Sequence, residues 1–280
     1  MRVKFILALA SLLISISAFA QRGKFFSTDN QLLSSSFVTQ VYLDNEGFIW
    51  ATTRNGINRY DGYQFRVFKK ENEHDSSLAS NYVNSMMQDK NGLFYFGLYG
   101  ALQTWDGNKF DNVAMLDKDG NAGHCYPNCF LERSNGDILV GSSGLGLLKF
   151  KNKKTACQVK GPLSSIHTVN SMIEDRMGVL WIVTDNLGLI SFDGKTIKQY
   201  LKYDPDIVFT CLCEGLDGII YAGTTNNGVY RMQSDTFVHI DETGNNSVSA
   251  LFCDHDGMIV IGYDGKGVAL YDPRSKEIKS

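Results

Sequence analysis

Ser36-Phe-Val-Thr-Gln-Val-Tyr-Leu-Asp-Asn-Glu-Gly-Phe-Ile-Trp-Ala-Thr-Thr-Arg-Asn-Gly-Ile-Asn-Arg-Tyr-Asp-Gly-Tyr-Gln-Phe-Arg-Val-Phe68 decides how the whole chain is read. Short apolar runs alternate in it with polar turns, and two glycines punctuate it, Gly47 after Asp44-Asn45-Glu46 and Gly56 after Arg54-Asn55. The pattern then returns. The first glycine recurs at Gly92, Gly136, Gly178, Gly218 and Gly257, at intervals of 45, 44, 42, 40 and 39 residues. An apolar triplet follows each one, from Phe48-Ile49-Trp50 to Met258-Ile259-Val260. The second glycine recurs at Gly100, Gly146, Gly188, Gly228 and Gly267, and Tyr60-Asp61-Gly62 has counterparts in Trp105-Asp106-Gly107 and Phe192-Asp193-Gly194.

A repeat of about 40 residues with four short strands in each copy is the signature of a β-propeller. One unit is too small to bury both of its faces, so neighbouring units must stack. A sandwich or a solenoid could use similar turns, but a sandwich does not usually repeat one pattern six times. The expected fold is therefore all-β, a β-propeller of four-stranded blades, with repeats near 36–80, 81–123, 124–165, 166–206, 207–245 and 246–280.

Residues 21–35 form a lead-in. Lys24-Phe25-Phe26-Ser27-Thr28 resembles the outer strand of later units, and such a strand at the start of a propeller closes the ring by completing the last blade. The last unit also ends in an outer-strand sequence of its own, Lys276 to Ser280. Two candidates for one place suggest a shortened seven-bladed ring, with six blades and a redundant end as the alternative.

Residues 1–20 read as a signal peptide. Positive charge at Arg2 and Lys4 precedes an apolar stretch from Phe5 to Ile16, and Ala18-Phe19-Ala20 presents small residues for cleavage before Gln21. That implies export to the periplasm. The six cysteines could then form disulfides, but Cys129, Cys211 and Cys213 fall on inner strands where other units carry small or apolar residues, which favours buried thiols. His124-Cys125 with Cys129 has no second ligand pair nearby, so no metal or other cofactor is expected. The net charge of −3 gives no basic footprint for nucleic acid.

Most copies carry Asp-x-x-Gly at the first turn, as at Asp44, Asp89, Asp175 and Asp254, while Arg133 and Gly215 replace the aspartate in the third and fifth. An aspartate there accepts backbone N–H bonds, so these carboxylates read as turn-formers rather than catalytic groups. The mouth of a propeller is built from the approaches to the inner strands and the loops between second and third strands. Those positions place Asn81, Tyr82, Tyr126, His167, Arg54, Asn55, Tyr99, Asp185, Asn226 and Asp264 around the axis as candidate ligand-binding residues. Aromatic faces beside amides and charges suit a sugar, with packing between blades as the alternative for Phe37, Tyr82 and Tyr126. No catalytic residue is expected: the chain has no Gly-x-Ser-x-Gly, His-Glu-x-x-His or phosphate loop, and only His124 and His167 among its five histidines lie near the mouth.

Asp44 to Gly62, and Asn170 to Gly194 after it, resemble the two-component regulator propeller repeat. That resemblance implies the periplasmic sensor region of a hybrid two-component histidine kinase, with an oligosaccharide or other small polar ligand as partner. It further implies two seven-bladed propellers, homodimers, and membrane, kinase and receiver parts that are not in these 280 residues. The expected function is thus a ligand-sensing domain without its kinase, and not itself an enzyme. The alternatives are a secreted lyase similar to streptogramin lyases and a scaffold propeller that binds other proteins.

Overall fold

The computed structural model describes residues 26–28, 33–71, 77–201 and 206–279. The signal peptide, its cleavage point, Lys24 and Phe25 of the lead-in, and His74 lie outside the described residues.

Six antiparallel sheets stand in a ring, and each is laid down in chain order from the axis outward. The first comprises β1 (Val38–Leu43), β2 (Ile49–Thr53), β3 (Gly56–Tyr60) and β4 (Phe65–Phe68). The second holds β5 (Val83–Gln88) to β8 (Phe110–Asn112). The third starts at β10 (Tyr126–Glu132) and runs through β11 (Ile138–Ser143) and β12 (Leu147–Asn152) to β13 (Thr155–Gln158). The fourth runs from β14 (Val169–Glu174) to β17 (Ile197–Tyr200), and the fifth from β18 (Phe209–Glu214) to β21 (Thr236–His239). The sixth ends the chain with β22 (Val248–Cys253), β23 (Ile259–Tyr263), β24 (Gly267–Asp272) and β25 (Glu277–Lys279). One departure from four strands occurs: β9 (Ala114–Leu116) pairs parallel with β13 and gives the third sheet a fifth strand.

Each sheet has a front, facing the next sheet in the chain, and a back, facing the previous one. Period-2 alternation sends successive side chains to opposite faces, so two-sided burial makes a middle strand apolar throughout. Leu180–Thr184 and Ile220–Thr224 are buried at every position. Between the first and second sheets the filling is aromatic, with Trp50 4.9 Å from Phe94 and 5.6 Å from Trp105. Between the third and fourth it is aliphatic, built from Leu139, Leu147, Ile166, Met172, Leu180 and Ile182.

Hydrogen bonds tie these junctions at both ends of the inner strands. Near the mouth, the Thr39 hydroxyl donates to the Val83 carbonyl (2.6 Å), the Asn128 amide to Val169 (3.0 Å) and the Thr210 hydroxyl to Val248 (2.6 Å). At the opposite end, the last side chain of one inner strand accepts from the turn of the preceding sheet. Gln88 takes the Asn45 N–H (2.9 Å), Glu132 that of Lys90 (2.8 Å), Glu174 that of Ser134 (2.5 Å) and Glu214 that of Arg176 (3.1 Å).

The Asp-x-x-Gly turns form as expected. Asp44 Oδ1 accepts from the N–H groups of Glu46 and Phe48, and its Oδ2 takes the indole N–H of Trp50 at 2.7 Å. Asp89 and Asp175 repeat the arrangement with Tyr95 and Trp181. In the fifth sheet the carboxylate has moved two residues on: Asp217 accepts from Ile219 and from the Tyr221 hydroxyl (3.0 Å). Gly215 makes this possible, because a Cβ there would lie 2.4 Å from Asp217 Oδ1.

The lead-in lies against the first sheet. Phe26 packs on Tyr60 (4.9 Å) and Phe65 (5.1 Å), and Ser34 bonds to Asn58 and Thr53. Residues 26–28 are not in a strand, and the fourth strand of the sixth sheet is its own β25.

Candidate functional site

At the mouth, sequence-expected residues of the first three sheets come together. Tyr82, just before β5, stacks on Tyr99 from the loop between β6 (Phe94–Leu98) and β7 (Ala101–Trp105), with ring centres 6.0 Å apart and planes 12° from parallel. Tyr99 meets Tyr126, the first residue of β10, at 4.8 Å. On the other side the Arg54 guanidinium lies 3.4 Å from the centre of the Phe37 ring and 5.4 Å from that of Tyr82. Tyr99 and Tyr126 remain 61% and 43% exposed, so these rings form an open ledge rather than a packed core. A hydrogen bond with Tyr99 raises the Tyr126 phenol above its ordinary value.

The ledge borders a cavity of about 370 Å³ lined by Tyr82, Asn84, Leu98, Tyr99, Tyr126, Asn128 and Ser143. Asn84 and Asn128 were not singled out by the sequence reading. Their signal was available: each stands two residues after a mouth tyrosine on an inner strand, hence near it on the same face. Both amides are held in place, since Asn84 Nδ2 donates to the Pro127 carbonyl and to Asn128 Oδ1 (3.0 Å each), and Asn128 Nδ2 donates to Ser143 Oγ (2.9 Å). With both N–H groups of each amide already spent, the fixed pair beneath the exposed rings offers its carbonyl oxygens as acceptors to hydroxyls of a ligand whose carbon face lies on the tyrosines.

The other candidates are placed differently. Asn81 Oδ1 accepts from the Lys70 N–H (2.7 Å), and the Asn55 amide donates to the Ser34 carbonyl (3.0 Å), so both are engaged with backbone. Asp185 lines a separate depression of about 350 Å³ with Asn186, Gln199 and Leu201. His167, Asn226 and Asp264 are exposed in the fourth, fifth and sixth sheets. His124 and His167 are both exposed, and their main chains flank Gly144, whose N–H donates to the His167 carbonyl at 3.1 Å.

The six cysteines are free thiols. Burial pushes Cys129 up to about 12 and Cys211 to about 11, so neither offers a thiolate at neutral pH. Among the described residues no group of three or more His, Cys, Asp or Glu is placed to hold a metal ion. Among them, too, no helix is long and apolar enough to cross a membrane.

The chain is therefore a β-propeller with an aromatic, amide-floored mouth, and solved propellers match it. The extracellular domain of BT4673 from B. thetaiotaomicron, assigned to a hybrid two-component system, aligns with a TM-score of 0.72 at 16% identity. The alignment covers 93% of this chain and 38% of that one, so the chain spans little more than a third of that domain. Virginiamycin B lyase from Staphylococcus aureus aligns with a TM-score of 0.67 at 12% identity, over 87% of this chain and 83% of the enzyme. PorZ, a surface component of the type-IX secretion system of Porphyromonas gingivalis, gives 0.64 at 14%, over 87% and 40%. At these identities the likeness is one of fold. It is the fold that the resemblance carried by the repeat residues implies. No family model matches the chain, and no curated protein does.

Proposed function

We propose that the chain is the ligand-sensing propeller of a periplasmic two-component receptor, and that its mouth recognises an oligosaccharide. The observation that carries this reading is the ledge of Tyr82, Tyr99 and Tyr126 over the fixed amides of Asn84 and Asn128. Rings of this exposure beside planar amides match the two surfaces of a sugar, apolar C–H faces and equatorial hydroxyls. The fold likeness to the BT4673 extracellular domain supports the sensor role. To signal, the ligand has to favour one receptor state over another, because equal affinity for both would shift neither.

Calorimetric titration of the purified chain against a panel of oligosaccharides tests the reading. A glycan that binds should lose about tenfold in affinity to Tyr99→Ala, with the melting temperature of the free protein unchanged. A panel without a binder sinks the oligosaccharide reading. Cleavage of a streptogramin B antibiotic by the chain, abolished by His124→Ala or His167→Ala, would replace it with a lyase.

A further inference from the structure

One column of the repeat is polar in every copy. Thr39, Asn84, Asn128, Asn170, Thr210 and Ser249 each stand eight residues before the first-turn glycine of their unit. In every sheet the register between the inner strand and its neighbour slips at that residue, from Val38/Gln40 in the first to Val248/Ala250 in the sixth. A bulge of this kind leaves one residue unpaired and re-aims its side chain. Here all six bulge side chains line a single axial chamber of about 430 Å³, a size usual for small-ligand sites.

The chamber is uncharged. Among the described residues its lining includes no Asp, Glu, Lys, Arg or His, and its two cysteines are the thiols that burial has pushed up to about 12 and about 11. Such walls cannot balance the charge of a metal ion or an anion. Their hydrogen-bonding capacity is mixed. Thr39, Asn84, Asn128 and Thr210 spend their protons within the protein, which leaves their oxygens as acceptors. Donors remain at two places. Gln40 gives its Oε1 to the Met86 N–H (2.7 Å) and keeps its NH2 group, and the Asn170 amide has no partner among the described residues. Donors and acceptors in a roomy, neutral space suit a polyhydroxylated molecule.

Asn84 and Asn128 belong to two spaces at once, flooring the mouth cavity under the tyrosines and walling the axial chamber. We infer that the chamber is a second subsite of the mouth and that an oligosaccharide is read end-on, with one neutral terminal ring among the bulge residues and the next ring on the tyrosine ledge. This rests on the proposed sensing of an oligosaccharide and narrows it, because a chain lying only along the ledge would leave the chamber unused. It gives the Asn170 amide an occupant to bind, where its counterparts Thr39, Asn84, Asn128 and Thr210 bind the next sheet. It also gives a use to Ser249, which lines the same chamber but bonds only to Gly262 of its own sheet.

The experiment fills the chamber and leaves the ledge intact. Asn170→Trp and Ser249→Trp suit this, since neither native side chain bonds to another sheet. Each is titrated calorimetrically, beside the native chain, with the neutral members of the oligosaccharide panel, among them maltohexaose, cellohexaose, xylohexaose and mannohexaose. Each Trp variant should lose at least about tenfold in affinity for a neutral glycan that the native chain binds. Asn170→Ala, which adds no bulk and keeps the question answerable if a Trp variant melts early, should lose about threefold through the missing donor. Native affinity in both Trp variants, with Tyr99→Ala still weakening the same glycan, overturns the end-on reading alone and leaves the chamber to water. Binding of charged glycans only does the same, and the sensing proposal stands. A panel without any binder sinks both.

Discussion

Trp50 and Phe252 sit on the same face of equivalent sheets, the first on the front of sheet one and the second on the front of sheet six, yet one is 1% and the other 63% exposed. Their rows are built alike: Tyr42, Trp50 and Arg59 in one, Phe252, Val260 and Leu270 in the other. What differs is the neighbour. Trp50 is enclosed by Phe68, Phe94, Phe96 and Trp105, while nothing in the described residues encloses Phe252. Phe68 comes from Trp50's own sheet, but Phe94, Phe96 and Trp105 come from the sheet that follows, and it is that following sheet which Phe252 lacks.

The largest effect that tests this contrast belongs to the enclosed side. Trp50→Ala removes the centre of the aromatic cluster and orphans Asp44 Oδ2, and should cost about 3–5 kcal/mol in urea unfolding. A loss under 1 kcal/mol would mean that the first junction is not as closed as its packing indicates.

A middling effect belongs to the polar ties. Glu174 accepts from the Ser134 N–H and, at 2.9 and 2.6 Å, from the Arg133 guanidinium. Burial works against its charge, but those two partners win and hold the carboxyl below its ordinary value of 4.5. A folded-state value below the unfolded one gives stability that is fully present above 4.5 and is lost as pH falls through the lower folded value. Glu174→Gln should cost about 1–2 kcal/mol at pH 7 and flatten the acid limb of the stability profile. An unchanged acid limb would show that the tie is not formed in solution.

The smallest effect sharpens the comparison from the open side. Phe252→Ala in the chain as it stands should change stability by no more than about 0.5 kcal/mol. A loss approaching that of Trp50→Ala would require the sixth front to be covered already.

Much of the fold could be read in advance, because the turn chemistry is local. Asp44, Asp89, Asp175 and Asp254 announce their turns through backbone bonds within four residues, and the glycines mark the reversals. β9 was not legible: three residues, Ala114 to Leu116, pair with β13, whose Thr155 to Cys157 lie 41 positions further along the chain, and no periodicity records that. The mouth was half legible. Column positions placed Tyr82, Tyr99 and Tyr126 together, but the same rule nominated Asn55 and Asn81, whose short amides satisfy nearby backbone first. The junction acceptors escaped because Gln88, Glu132, Glu174 and Glu214 look like ordinary strand-end polar residues until the neighbouring turn is in place.

The exchange between Gly215 and Asp217 means that the six modules are not interchangeable letter by letter. In the fifth, the carboxylate that anchors the Tyr221 hydroxyl arrives from the far side of the bend, and a Cβ at the vacated site would displace that carboxylate or the Tyr221 ring. Anyone recombining these units, whether by gene shuffling or by consensus averaging, has to carry both positions as one allele.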